Sequence, residues 1–477
     1  MLTFVICLAL LVAAYFLYGG LLSRVAKLDK GADVPSKSMY DGVDYMPLPR
    51  WRIFLIQLLN IAGTGPIFGA ILGACYGPVA FLWITLGGIF MGAMHDFFAG
   101  VISVRHGGKS LPETIGIYLG GGMRKLALVL IPLLMVIVGG VFIVTPSEIL
   151  ASMTDIPYMA WVAIIIVYYF VATIMPVDKI IGKIYPIFGA ALILMALAML
   201  GVVIFCGHDV PELTSIENMH YKADKLPIVP TLFISIACGA ISGFHATQSP
   251  LMARCVTSET QARPIFFGAM IAESIIALIW AAVAMAFFGG VGDLNTWMEG
   301  HGDAAGVAVS TISVKALGVA GSVLAILGVV AAPITSGDTA FRSARLIVAD
   351  MLNFDQRTIW KRLAVSLPLF AVGIAIAFID FDVIWRYFAW SNQALSVFTL
   401  WMITAWLMRR RSHYMLLALL PALIMTYICS SFVFVSDQFV GMGSVNAAYI
   451  YGGAVTAVIA GVMITKIRRI NRDRLSV

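Results

Sequence analysis

What most constrains this chain is a series of apolar segments, each long enough to cross a bilayer. A spanning helix needs about 20 largely apolar residues, and on that measure the sequence predicts about thirteen spans. They fall at 2–22, 51–75, 78–104, 125–145, 158–176, 183–206, 228–250, 265–288, 306–332, 363–380, 384–408, 412–435 and 446–466. Segment 2–22 has no basic leader and no small-residue cleavage site after it, so it is read as a span and not as a signal peptide. Only 12% of the 477 residues are charged and 61% are hydrophobic. A soluble domain carries roughly 25% charged residues, so a water-facing exterior is excluded. Cys7, Cys75, Cys206, Cys238, Cys255 and Cys429 form no CxxC pair and no His-spaced cluster. They read as small buried hydrophobes, and a Cys75–Cys206 bridge is disfavoured.

The net charge of +6 could suggest a nucleic-acid partner, but the position of the cations argues otherwise. With loop 23–50 placed in the cytoplasm and the loops alternating from there, nearly all of the 31 Lys and Arg residues fall on one side. The exceptions are Lys222 and Lys225 in an outer loop, and Lys315 and Arg386 within spans. This is the positive-inside pattern, with the N-terminus outside and the C-terminus inside. The outer loops 207–227 and 289–305 carry acids instead, among them Asp209, Glu212, Asp293 and Asp303. No nucleic-acid partner is expected, and the lipid bilayer is the expected environment.

Two spans contain breaks. Asn60-Ile61-Ala62-Gly63-Thr64-Gly65-Pro66 interrupts the first. Glycine costs about 1 kcal/mol and proline about 3 kcal/mol in a helix interior, so an unbroken helix is disfavoured there. Pro66 suits the first turn of a new half-helix. The carbonyls of Asn60–Ala62 should lose their partners, and the amides after Pro66 should be free to face an anion. The second break, Gly239-Ala240-Ile241-Ser242-Gly243-Phe244-His245-Ala246-Thr247-Gln248, lies an odd number of spans later, in a helix crossing the opposite way. Paired broken helices in two halves predict an all-α inverted-repeat transporter with a midplane site. The halves would be 51–208 and 228–408, each of five helices, with 1–50 before them and 409–477 after.

Ionisable groups within spans need a reason. Thr311, Lys315, Gly318 and Ser322 share one helical face, a polar stripe expected to aim into the bundle. A desolvated lysine can exchange a proton; the alternative for Lys315 is a fixed cation joining two helices. Gly88, Gly92, Asp96 and Gly100 recur every fourth residue, a face that permits close helix contact. Asp96 is expected to bridge another helix or to carry protons. His95 points elsewhere and could meet His245, although spacing does not support a metal site of His95, Asp96 and His245. Glu273 is a further proton-relay candidate. Trp390, Asn392 and Gln393, beside Tyr387 and Phe388, read either as a gate over a cavity or as interhelical hydrogen bonds.

Several tempting motifs fail. Gly107-Gly108-Lys109-Ser110 lacks the first glycine of a P-loop and a preceding strand. Ser110-Leu111-Pro112-Glu113 fits a helix capping box instead. There is no H-E-x-x-H and no G-x-S-x-G, so nothing supports a hydrolase. No cofactor and no metal are expected.

The stretch from Asn-Ile-Ala-Gly-Thr-Gly-Pro at 60–66, through Met94-His95-Asp96-Phe97 and Arg105-His106-Gly107-Gly108, to Leu111-Pro112-Glu113 closely resembles the carbon starvation protein A family, CstA. Ser242–Pro250 and Ala332–Arg342 resemble it too. The resemblance implies a bacterial inner-membrane transporter linked to nutrient scavenging, with an amino-acid-transporter-like inverted-repeat core. It further implies uptake of peptides, or in some members of pyruvate with protons. In the related superfamily an ammonium can replace a coupling sodium ion, which favours Lys315 as the coupling group. Asp338, placed to pair with Arg342 on the cytoplasmic side, reads as structural or gating.

The expectation is therefore a proton-coupled importer in which amides after Pro66 and around Ser242–Gly243 hold a substrate carboxylate. Gly63 and Gly65 open the backbone, while Asn60, Thr64, His245, Thr247 and Gln248 supply polar contacts. Lys315, with Asp96 or Glu273 and with His95 nearby, would carry the coupling charge. Peptide leads and pyruvate follows; a channel or a non-transporting sensor explains the paired breaks less well.

Overall fold

The computed structural model describes residues 1–42, 44–174, 185–205, 209–354, 356, 358–379, 381–410 and 412–475, all helix and connecting segments without a strand among them. Cys206, Lys179, Lys183, Arg357 and Arg411 lie outside the described residues.

In chain order the long elements are α1 (Leu2–Ala26), α2 (Arg50–Ala62), α3 (Gly65–Ala74), α4 (Val79–Arg105), α5 (Gly121–Met153), α6 (Tyr158–Ile174) and α7 (Tyr185–Phe205). There follow α8 (Ile228–Leu232 and Phe233–Ser235), α9 (Gly243–Ala253), α10 (Glu259–Phe287) and α11 (Ala305–Leu352). The chain ends with α12 (Ile359–Ile376), α13 (Phe381–Arg410), α14 (His413–Val435) and α15 (Val445–Leu475). Among the described residues, 9 helices are long and apolar enough to span a membrane, or 10 if the bent pair α2 and α3 counts as one. Of the other expected spans, α6 is short, α8 and α9 are separated by a break, and α13 does not meet the apolarity test.

Both sequence-predicted breaks are present. α2 ends at Gly63, whose φ of 41° and ψ of −139° suit glycine and strain a side-chain-bearing residue, and α3 leaves at 46°. The second break runs between Ser235 and Gly243 and includes Gly239 at φ 94°. The two interrupted helices touch at their breaks. A Cβ on Gly65 would fall on the Cys238 side chain, and one on Gly69 would come within 2.7 Å of the Ser235 carbonyl oxygen.

The glycine face of α4 does what its spacing predicts. Gly88 abuts Ser274, Gly92 abuts the Ala240 carbonyl and Gly100 abuts Phe266, so α4 seats directly on the second break and on α10.

Ion pairs and hydrogen bonds sort the connections onto two faces. Arg105 pairs with Glu259 and reaches the Ala26 carbonyl, which Arg410 also reaches. The ends of α1, α4 and α13 and the start of α10 therefore share one basic face. On the opposite face Glu212 holds the N-terminal amine, Asn295 donates to the carbonyls of Cys75 and Met219, and Tyr221 and Lys222 hold Asp303. The capping box at Ser110 and Glu113 is formed.

One expected boundary is corrected. The span expected to stop at 332 continues as α11 to Leu352, kinked at Gly318 (φ 57°). Asp338 and Arg342, expected on the cytoplasmic side, consequently lie buried within α11. Asp338 accepts a bond from the Tyr185 hydroxyl at 2.8 Å, Arg342 donates to the Ala172 carbonyl, and the two charges are 4.0 Å apart. The i,i+4 pairing stands; its surroundings are protein.

The close approach of α4 gives a stability test. Gly92→Ala should cost about 1–3 kcal/mol, because the Ala240 carbonyl must move. Gly20→Ala, inside α1 where a Cβ meets nothing within 4 Å, should cost nothing and stabilise by up to about 1 kcal/mol. Thermal unfolding of the purified variants in detergent decides between them.

Candidate functional site

The break in the second interrupted helix brings together side chains from α4, α9 and α10. Asp96 lies at the centre. Its Oδ1 accepts from His95 Nδ1 at 2.8 Å, and its Oδ2 accepts from His245 Nδ1 at 2.8 Å. The other ring nitrogen of His245 lies 3.4 Å from Glu273 Oε2. All four side chains are 0% exposed. Neither oxygen of Glu273 has a hydrogen-bond partner among the described residues, and neither does His95 Nε2.

A carboxylate only accepts, so Asp96 draws the proton of each ring to Nδ1. The far nitrogen of His245 then lies between the Glu273 carboxyl and the Cys238 thiol. A further proton on the ring or on the carboxyl would turn the contact with Glu273 into a bond.

The amides expected to be free after Pro66 are occupied. Ile67 and Phe68 donate to the Thr64 carbonyl at 3.2 and 2.8 Å, because the first turn of α3 closes on its own N-cap residue. At the second half-helix the Phe244 amide donates to Asn392 Oδ1 at 2.8 Å, and the Ser242 hydroxyl donates to the same oxygen at 2.8 Å. Gly243 has α13 against it, at Leu395 and Ser396. Buried side-chain atoms without a partner also lie near the breaks: both ends of Asn60, both ends of Gln57, Thr64 Oγ1, Gln248 Oε1 and Trp280 Nε1. Thr247 is engaged, donating to the Phe244 carbonyl at 2.6 Å and accepting from Gln248 at 3.0 Å.

Of the carbonyls expected to be orphaned at the first break, that of Asn60 is met, together with its neighbour Leu59, by a residue the sequence reading did not single out. Ser336 Oγ lies 3.1 Å from the Leu59 carbonyl and 3.2 Å from that of Asn60. At the second break, Trp83 Nε1 donates to Ile236 O at 3.1 Å and Gln393 Nε2 to Phe233 O at 3.2 Å. Asn392, Gln393 and Trp390 thus act as hydrogen-bond ties: Trp390 Nε1 donates to the Cys429 carbonyl. Interhelical bonding, one of the two readings offered for these residues, is present. Ser336 lay in a Pro-Ile-Thr-Ser stretch of small polar residues inside an apolar run, within the Ala332–Arg342 segment that resembles the CstA family.

Lys315 does not join the cluster. It lies on an exposed face of α11 with Val314 and Val319, while Thr311 is half-buried and Gly318 is exposed. The stripe therefore faces outward, which corrects the inward aim expected of it.

His95, Asp96 and His245 do not converge on a common point as ligands, because both rings spend Nδ1 on the carboxylate. A different set does converge. Donor atoms of Cys238, His245 and Glu273 lie within 4.8 Å of one another, and all three residues are buried. Thiolate, imidazole and carboxylate are the donors that a borderline-soft divalent ion takes, and Asp96 would sit behind the imidazole as its orienting carboxylate.

Above the cluster on the face opposite the basic one, a cavity of about 300 Å³ opens between α3, α8 and α13. Tyr76, His220, Lys222, Asp303 and Arg386 are among its lining residues. His220 stacks on Tyr221 and meets the Tyr76 ring at a tilt of 59°, and its Nδ1 accepts the Lys222 amide at 3.0 Å.

Residues 1–157 and 143–320 match the family described as Carbon starvation protein CstA. This chain belongs to that family. It is 42% identical over 340 residues to an uncharacterized membrane protein of Haemophilus influenzae, covering 60% of this chain and 91% of that one. Named transporters are more distant. The peptide transporter CstA of Campylobacter jejuni is 28% identical over 330 residues, and the pyruvate/proton symporter BtsT of Escherichia coli is 26% identical over 328. Each alignment covers 56% of this chain and under half of the relative, 47% and 46%. In fold, the chain is similar to a manganese transporter of Eremococcus coleocola, with a TM-score of 0.53, 13% identity, and coverage of 91% of this chain and 99% of that one. The chain is a multi-pass membrane protein and a CstA-type transporter.

The wall of the cavity makes a pH prediction. Burial pushes the His220 imidazole down to about 4 from 6.5. The folded form is neutral, whereas an unfolded segment takes a proton near pH 6.5. Stability is therefore full above pH 6.5 and falls between pH 6.5 and 4, by about 3 kcal/mol at most. Hydrogen exchange over residues 209–227, corrected for intrinsic rates, should show added opening at pH 5 relative to pH 7. His220→Gln should remove that difference.

Proposed function

We propose that this protein is a proton-coupled secondary importer of peptides in the bacterial inner membrane, serving under nutrient limitation. In this reading its N-terminus lies outside and its C-terminus in the cytoplasm. Thirteen crossings, counting the broken pairs and the short α6, carry it. The two five-helix halves, 51–208 and 228–408, repeat in inverted orientation, with 1–50 and 409–477 as additions. The basic face defined by Arg105 and Arg410 supports the orientation through the positive-inside rule.

The observation that carries the coupling is the closed pair of His245 and Glu273 beside Asp96. With one proton between them, the cluster of Asp96, His245 and Glu273 has a net negative charge and repels a carboxylate. A second proton neutralises it. A substrate carboxylate then enters with that proton, and Asn60, Thr64 and Gln248 offer unpartnered polar atoms to the rest of the substrate. The seal over the site also fits alternating access, since all of these groups are buried together in one closed state.

A small monocarboxylate such as pyruvate is the second reading, favoured by the likeness to a relative named as a pyruvate/proton symporter. The coupling logic is the same for both substrates.

Proteoliposome uptake of a labelled dipeptide and of labelled pyruvate, each under an imposed proton or sodium gradient, tests the proposal. Gradient-driven accumulation of neither substrate sinks it, and accumulation of only one names the substrate. Glu273→Gln fixes the neutral state, so it should keep counterflow exchange while lowering proton-driven accumulation at least tenfold. Unaltered accumulation in that variant removes Glu273 from the mechanism. Lys315→Ala, on an outward helix face, should accumulate substrate as the parent does.

A further inference from the structure

A second concavity lies far from the cluster, along the flank where α1 meets α2 and α10. It is an open groove of about 1170 Å³. Its basic-face end carries Arg24, Lys27, Arg50 and Arg263, and no acidic residue lines it. Its walls further in are apolar, formed by Val12 and Phe16 of α1, Phe54 of α2, and Ile271 and Ile275 of α10.

Arg24, Lys27 and Arg50 are exposed, and no carboxylate among the described residues pairs with any of them. Arg263 is held in place across the groove floor. It donates to the Tyr15 carbonyl at 3.0 Å, its guanidinium lies 4.9 Å from the Tyr15 ring, and its Nε is buried without a partner. Trp51, 57% exposed at the same end, is an aromatic of the kind that settles at headgroup level.

The dimensions agree with a lipid. On both α1 and α10, about 12 residues separate the cationic end from the innermost wall, which at about 1.5 Å per residue is roughly 18 Å. One leaflet of a hydrocarbon core about 30 Å thick is roughly 15 Å. A fixed cluster of cations at one end of a leaflet-long apolar wall is the complement of a molecule with an anionic head and acyl tails.

We propose that this groove is a binding site for an anionic phospholipid of the leaflet at the basic face, with its phosphate held by Arg24, Lys27 and Arg50. Arg263 anchors α1 to α10 beneath the headgroup, and the tails run along Phe16, Phe54 and Ile271. The lipid then fills the seam between the added N-terminal helix and the transporter core. This site is independent of the transported substrate.

The test uses the full chain purified in detergent and titrated with phosphatidylglycerol, with phosphatidylcholine of the same acyl chains, or with inorganic phosphate. Native mass spectrometry counts bound lipid, and thermal unfolding reads stabilisation. Phosphatidylglycerol should bind at least tenfold more tightly than phosphatidylcholine and raise the melting temperature, while inorganic phosphate should do neither. The triple variant R24Q/K27Q/R50Q should lose that preference while melting as the parent does in phosphatidylcholine. Equal binding of the two lipids, or an unchanged preference in the variant, overturns the proposal. As a check that needs no variant, a photoreactive phosphatidylglycerol should cross-link to peptides containing Phe16 or Phe54. Cross-links confined to other faces overturn it as well.

Discussion

A helix interrupted inside a bilayer leaves amides and carbonyls that lipid cannot satisfy, and the rest of this structure is arranged around meeting that demand. Ser336 reaches the carbonyls at the end of α2. Trp83 and Gln393 reach those of the second break, and Asn392 takes the amide at the start of α9. These side chains come from three other long helices. The breaks are thus the points at which α4, α11 and α13 are tied to the two interrupted helices, and they hold the bundle together while they open it.

The same demand explains the buried charges. Close contact of α4 with the second break requires Gly88, Gly92 and Gly100, and that contact delivers Asp96 to His245. An unpaired carboxylate at this depth would cost several kcal/mol. Two imidazoles answer it, and one of them turns its far nitrogen to Glu273. The hydrogen bonds of Asp96 leave the far ring nitrogen of His245 facing Glu273. Backbone packing and side-chain pairing therefore form one chain of cause.

Much of this was legible in the sequence. Apolar runs marked the spans, glycine and proline marked both breaks, and the four-residue glycine spacing singled out the face bearing Asp96. Which helix that face meets was not legible, because helical periodicity orients a residue about its own axis and says nothing of its neighbour. Lys315 shows the limit. A stripe of Thr311, Lys315, Gly318 and Ser322 has the same spacing whether it faces in or out, and small residues suit either. The amides after Pro66 show another. Proline predicted a new helix start correctly, but the first turn could still close on Thr64. Cys238, Gln57 and Ser336 carried no spacing signal, since each acquires its role only when another helix arrives.

The contact between α3 and α8 has a mechanical consequence. Gly65, Gly69 and Gly73 leave notches along α3 that are filled by the Cys238 side chain, the Ser235 carbonyl and the Ile236 side chain. Pulling the two segments apart would expose close-packed surface and is resisted. Sliding one along the other would lift those groups out of their notches and is resisted too. The seam is a key in its slot, holding the two broken helices in register as well as in distance, and a side chain added at those glycines would expel the key.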